Sequence, residues 1–161
     1  MNGQLHRVVV TGLGVVSPVG NTLDETWNNL VNGVNGITPI TLFDTTDYKA
    51  KVAGEVKNFE PRDYMSKQEI LRSDRFSQLA MAAAVQAVEE SGVVGTVAPE
   101  RMGVYFGSGI GGINTMTKEH QKLLAKGPGR VSPYMVPMMI ANMAAGMIAV
   151  SYTHLTLPTT S

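Results

Sequence analysis

The chain is 161 residues long, enough for one domain with a real core and too short for two comfortable ones. Lys and Arg number 13 and Asp and Glu 13, so no global field recruits nucleic acid or an acidic membrane. The absence of Cys excludes a disulfide framework, a thiolate zinc site and a thiol nucleophile within this chain; the N-terminal "MNGQLHRVVV" has neither the basic nor the apolar region of a signal peptide, so a soluble cytoplasmic protein is expected.

In chain order, "HRVVVTGLGVVSPVG" is a β-branched run punctuated by Gly12 and Gly14 and stopped by Pro18, which predicts a buried strand and a turn. Thr22, with Glu25 three residues on, forms a capping box. It opens a helix whose apolar face is Leu23, Trp27, Leu30 and Val31, with Gly33 able to close it in a left-handed conformation. Residues 37–65 read as an excursion carrying a short hairpin around "AKVAGEV". Ser66 and Glu69 form a second capping box, opening one long helix through "ILRSDRFSQLAMAAAVQAVEESG" that Gly92 closes. Its "AMAAAVQA" centre is small on most faces, which lets other backbone pack closely.

"ERMGVYFGSGIGG" predicts another strand, with Met102, Val104 and Phe106 alternating on one side, and "NTMTKEHQKLLAKG" an amphipathic helix. "PGRVSPYMVP" is a Pro-punctuated loop. From residue 131 onward there is no acid and no Lys or Arg, and "MVPMMIANMAAGMIAV" is apolar nearly all round. That run is shorter than the roughly 20 residues of a membrane span and contains Pro137 and Asn142. It reads as a helix buried in a core or against another protein surface, and its five Met suit an interface. Strands alternating with helices of this length imply an α/β layered domain.

Two stretches imitate nucleotide loops. "TGLGVVSP" places Ser17 where a third Gly would stand, and Pro18 follows. "GSGIGG" fits G-x-G-x-x-G through Gly107, Gly109 and Gly112, but no acid lies beyond Glu119 to hold a ribose, and no phosphate loop is present. The glycines are therefore read as allowing a tight turn and close backbone approach. Ile110 is left as the sizeable side chain of a Gly-lined bend, a pocket floor. His6, His120 and His154 build no site, and no metal set, cofactor motif or catalytic constellation is visible. Basic residues gather at Arg62, Lys67, Arg72 and Arg75, and again at Lys118, Lys122, Lys126 and Arg130, where Glu119 is the single acid. They are either solvated faces or a docking patch for an acidic partner.

"RVVVTGLGVVSPVGN", "DRFSQLAMAAAVQA", "MGVYFGSGIGG" and "KGPGRVSPYMVPMMIANMAAG", in order, resemble the β-ketoacyl-acyl carrier protein synthases, most of all the type II condensing enzymes of bacterial fatty acid synthesis. The resemblance implies a thiolase-like layered α/β fold, of which this chain is the N-terminal half, a homodimer, and decarboxylative condensation without a cofactor or metal. It implies acyl carrier protein as partner, in its acyl and malonyl forms. Gly109 and Ile110 match the base of the acyl pocket. Met135 matches a residue, commonly Phe, that reaches into the dimer partner's pocket. Lys67, Arg72 and Arg130 match basic positions that meet the carrier protein.

The nucleophilic Cys and two later His of such enzymes are not matched in this chain, so the chain by itself is expected to be inactive. Residues 1–149 are expected to form a partial synthase domain. Residues 150–161, ending in "SYTHLTLPTTS", match nothing in the family and look like translated adapter DNA. The alternative is a genuine non-catalytic module that binds carrier protein and dimerises.

Overall fold

The structure, a computed structural model, describes residues 7–153. Helix α1 spans Leu23–Val31. The Thr22 hydroxyl accepts the Glu25 N–H at 3.3 Å, and the Glu25 carboxylate reaches back to the N–H of Asn21, one residue earlier than a standard box, at 2.7 Å. The apolar face expected to be inside is not: Trp27 is 66% exposed, and the buried position is Thr26, whose hydroxyl donates to the Gly20 carbonyl.

Strands β1 (Ile37–Pro39) and β2 (Val52–Gly54) pair antiparallel, with Ile37 opposite Gly54. The stretch "AKVAGEV", around which a short hairpin is expected, supplies one strand of this pair, and its partner lies at residues 37–39. The cause is Glu55, whose buried carboxylate accepts the N–H of Thr41 at 3.1 Å, the Thr41 hydroxyl at 2.8 Å and the N–H of Leu42 at 3.3 Å. One carboxylate so fixes the return of the chain beside β1.

The single long helix expected from Ser66 is two helices, α2 (Lys67–Leu71) and α3 (Arg75–Ser91). The Ser66–Glu69 box is complete. The break falls at Ser73 and Asp74, residue types whose side chains compete for backbone partners. The Ser73 hydroxyl donates to the Ile70 carbonyl, and Asp74 takes up an extended conformation with its carboxylate turned to another element. Gly92, at φ +59, closes α3.

Helix α4 spans Ile113–Lys126 as expected. The Met-rich stretch is not one helix but two, α5 (Met135–Met139) and α6 (Met143–Tyr152). Pro137 sits in the first turn of α5, where its missing N–H is harmless. The Met139 carbonyl accepts the Gly112 N–H at 2.9 Å, and the Met143 N–H turns to Ile140 instead. The carbonyl that would continue the helix is already bonded elsewhere. Burial holds for α6, where Ala144 and Ile148 pack with Ala80, Met81 and Met65 into the core, under Phe76 and Tyr152.

Neither expected strand at residues 7–16 nor that at 102–106 joins a ladder among the described residues. Both runs are extended but have no neighbouring strand to take their backbone groups, and Val8 is 89% exposed. The first run lies instead against α3. A Cβ at Gly12 would overlap the Ala87 carbonyl, and one at Gly14 the Ala83 carbonyl. The Leu13 N–H meets the Glu90 carboxylate, and the Val15 N–H meets Gln86 Oε1 at 3.4 Å. Among the described residues, no helix is long and apolar enough to cross a membrane. Helix α6 ends at Tyr152; residues 154–161, with His154 and most of the expected tail, and residues 1–6, with His6, lie outside the described residues.

Gly14→Ala is expected to lower stability by about 1–3 kcal/mol through overpacking against α3. Gly103→Ala, whose Cβ would meet open space, should stay within about 0.5 kcal/mol of the parent. The urea midpoints of the two variants check this, and equal midpoints would remove the close approach as the reason for Gly14.

Candidate functional site

The bend "GSGIGG" connects an extended run to α4. Ser108 accepts the Gly111 N–H at 3.0 Å, and Gly111 turns the chain at φ +76, a conformation that favours Gly. A Cβ on Gly111 would lie 2.5 Å from the Met139 carbonyl oxygen, and one on Gly112 would overlap that of Met138. The close approach inferred from the sequence therefore occurs at Gly111 and Gly112, whereas Gly107 and Gly109 face open space. With the Gly112–Met139 hydrogen bond, the contact clasps the bend to the end of α5.

Ile110 stands on the outside of this bend, 71% exposed, next to exposed Gly109. Met135 opens α5 and is half-buried. The two belong to one clasped unit, at the bend and at the opposite end of α5. Tyr134, just before Met135, carries the Arg72 guanidinium 5.1 Å over its ring centre. Arg72, Tyr134, Pro137 and Met143 line an open cleft of about 400 Å³.

The basic residues divide into committed and uncommitted groups. Arg75 donates to the Val56 carbonyl at 3.1 Å and lies over the Phe59 ring, and Arg62 stands 4.0 Å from Glu60. Lys122 is bound at 2.5 Å to Glu119, whose buried carboxylate also accepts the Ser132 N–H at 2.7 Å. Lys67 and Arg130 are exposed, and Arg130 lines a cleft of about 590 Å³ with Lys122 and Lys126. Among the described residues no ion pair takes Lys67, Lys118, Lys126 or Arg130. His120 lies exposed on α4, and no cluster of acids and His that could hold a metal forms among the described residues.

Asp74 is a residue the sequence reading missed. Its carboxylate accepts both the N–H and the hydroxyl of Thr115, at 2.7 and 2.6 Å, joining the α2–α3 turn to the start of α4. The available signal was Asp just ahead of a helical run; nothing local pointed to a partner on α4.

Residues 5–155 match the family described as Beta-ketoacyl synthase, N-terminal domain. The chain belongs to that family. It is 47% identical over 148 residues to 3-oxoacyl-acyl-carrier-protein synthase 2 of Staphylococcus aureus (strain COL), covering 91% of this chain and 36% of the relative. It is 44% identical over 151 residues to the protein of the same name from Synechocystis sp., covering 93% of this chain and 36% of the relative. The chain thus spans about a third of the length of these relatives. Among solved structures, the ishigamide ketosynthase/chain length factor superposes with a TM-score of 0.74 at 29% identity, over 88% of this chain and 36% of that one. A β-ketoacyl synthase from Burkholderia phymatum STM815 does so with the same score at 23% identity, over 91% of this chain and 36% of that one. The fold is the thiolase-like α/β fold of the ketosynthases, of which the described residues form a partial, mostly helical portion with one strand pair.

Glu119 ties α4 to the basic loop, and its carboxyl is held below its ordinary 4.5, first by the Lys122 hydrogen bond and then by the Ser132 N–H. A carboxyl with a depressed folded-state pKa adds stability that is complete above the unfolded value and is lost as pH falls through the folded one. Protection of the Ser132 amide, relative to its intrinsic exchange, should therefore be flat down to about pH 4.5 and drop below it. Glu119→Gln should abolish that dependence and leave Ser132 less protected at neutral pH. A variant with the parent's profile would sever Glu119 from the loop.

Proposed function

We propose that this chain is the N-terminal part of a β-ketoacyl-acyl carrier protein synthase of fatty acid elongation. An acyl group passes from carrier protein to a Cys thiolate, and the carbanion released as malonyl-carrier protein loses carbon dioxide attacks the thioester. A new carbon–carbon bond forms, the thiolate leaves, and 3-oxoacyl-carrier protein is the product. The observation that carries this reading is the family match across residues 5–155 together with 47% identity to a synthase of that name. The sequence has no Cys, so the nucleophile and the groups that stabilise the oxyanion belong to a part of the enzyme outside this chain.

The roles of this chain are then to shape and to dock. Gly109 and Ile110 form the base of the acyl pocket, and Met135 reaches toward the pocket of a second subunit in a homodimer. Lys67, Arg72 and Arg130 meet the acidic carrier protein, in its acyl and malonyl forms. The exposure of these cations and the inward commitment of Glu119 support this reading. No cofactor, nucleic acid or membrane enters it, and the setting is the cytoplasm. A second reading, a non-catalytic module that binds carrier protein and dimerises, draws on the lack of Cys. It requires the purified chain to be soluble and of one discrete size.

The test is a graft. Residues 7–149 replace the matching segment of the S. aureus relative, and condensation of labelled acyl groups with malonyl-carrier protein is measured. The graft is expected to condense, Ile110→Phe to shift its preference toward shorter acyl chains, and the ungrafted chain to take up no label above blank. Lys67→Glu with Arg130→Glu should raise KM for carrier protein on the order of tenfold, with kcat little changed and a weaker salt dependence. A soluble graft with no condensation, or acyl uptake by the ungrafted chain, would overturn the reading.

A further inference from the structure

Helix α4 begins without the means to cap itself. Gly112 holds its N-cap position and offers no side-chain acceptor, and the first turn carries no acid. A Ser, Thr, Asp or Asn would ordinarily stand there. None fits, because any Cβ at Gly112 would overlap the Met138 carbonyl. The clasp between the bend and α5 has taken the space that a local cap needs.

The missing cap comes from another helix. Asp74 is 5% exposed, and its Oδ2 accepts the N–H of Thr115, the third residue of α4, at 2.7 Å and the Thr115 hydroxyl at 2.6 Å. That N–H is the one a local cap would serve, and the carboxylate also sets negative charge at the positive end of the helix. Asp74 makes no side-chain cap bond to α3, the helix it precedes, so its carboxylate is given over to α4. A buried carboxylate is costly unless it is hydrogen-bonded, so the pair holds the two helices at a fixed distance.

The same turn grips α5. Arg72, two residues earlier, lies over the ring of Tyr134 at the α5 N-terminus, while the α5 C-terminus is bonded through Met139 to Gly112. Residues 72–74 therefore hold the start of α4 and the start of α5, and the bend bearing Ile110 is strung between α4 and the far end of α5. We infer that Asp74 is a positioning residue: by capping α4 through Thr115 it fixes the bend that presents Ile110, and so helps set acyl-chain-length preference. The last step rests on the function proposed above.

Hydrogen exchange on the whole chain tests the cap. In Asp74→Asn and Thr115→Val, protection of the amides at positions 115 and 116, which bond to Asp74 and to the Gly112 carbonyl, should fall roughly tenfold or more, with Ala82 and Ile148 unchanged. Thr115→Ser, which keeps the hydroxyl, should restore it. Unchanged protection in both variants would overturn the inference, and so would equal loss at Ala82 and Ile148, since the role would then be general stability. In the graft, Asp74→Asn should alter the ratio of long-chain to short-chain kcat/KM by about threefold or more. If Ile110→Phe moves that ratio and Asp74→Asn does not, the positioning role falls alone. If Ile110→Phe does not move it, the pocket reading falls, and the exchange data still decide the cap.

Discussion

Helix α3 can be approached from several sides because its buried face is made of small residues, and the arrangement of the other elements follows from that. Ser77, Ala80 and Ala82 are buried along it, with Met81 as the one long side chain among them. On one side α6 closes down with Ala144 and Ile148. On another, the extended run of residues 7–16 comes near enough that Gly12 and Gly14 lie against the carbonyls of Ala87 and Ala83. Larger residues along α3 would hold both neighbours off. The helix also supplies the hydrogen bonds that a strand partner would give: Gln86 and Glu90 receive the N–H groups of Val15 and Leu13, and Gln86 Nε2 donates to the Asn21 carbonyl at 2.8 Å.

Irregular chain away from α3 is held by buried carboxylates. Glu55 gathers Thr41 and Leu42, Asp74 gathers Thr115, and Glu119 gathers Ser132. In each case an acid accepts a backbone N–H from a loop or helix start that no ladder satisfies, which is the condition for such chain to be packed away from water. This has an electrostatic consequence. The chain balances 13 basic against 13 acidic residues, yet three of the acids point inward. Glu119, the single acid between Lys118 and Arg130, is one of the three, so the surface around Lys118, Lys126 and Arg130 is basic although the chain is neutral, which suits the carrier-protein docking proposed above.

Signals that act within one turn were legible in the sequence. Thr22 and Glu25, Ser66 and Glu69, and Gly92 mark helix ends where the structure has them. The two helices read as continuous were misjudged for a common reason, since each is broken by a bond to distant chain. Asp74 is drawn away by Thr115, and the Met139 carbonyl by Gly112. Periodicity reports neither. The α1 face was misjudged because an apolar stripe states what a helix could bury, not what stands opposite it. As for the site, residue chemistry alone reached as far as the Gly-lined bend, Ile110 and a basic patch. The roles given to Met135, Lys67, Arg72 and Arg130 came from resemblance to a family, because a lone Met or Arg has no spacing that declares its partner.

The extended runs show how the sequence asks for more contacts than the described residues provide. Val8, Val9 and Val10 are exposed in one run and Tyr105 and Phe106 in the other, in stretches with the β-branched and alternating character of buried strands. Burying one such side chain contributes about 1.5–3 kcal/mol, so these five represent a large unspent driving force in a domain of marginal stability. Their backbone groups likewise lack the ladder partners that make such residues favourable in a sheet. On the function proposed above, the remainder of the synthase supplies that ladder. Paired in that ladder, the valines of the first run would close the core beside α3, and the second run would hold the bend that follows residues 102–106 at the edge of the acyl pocket. The residues that look least stable here would thus carry the join between the part of the enzyme that shapes the substrate and the part that reacts with it.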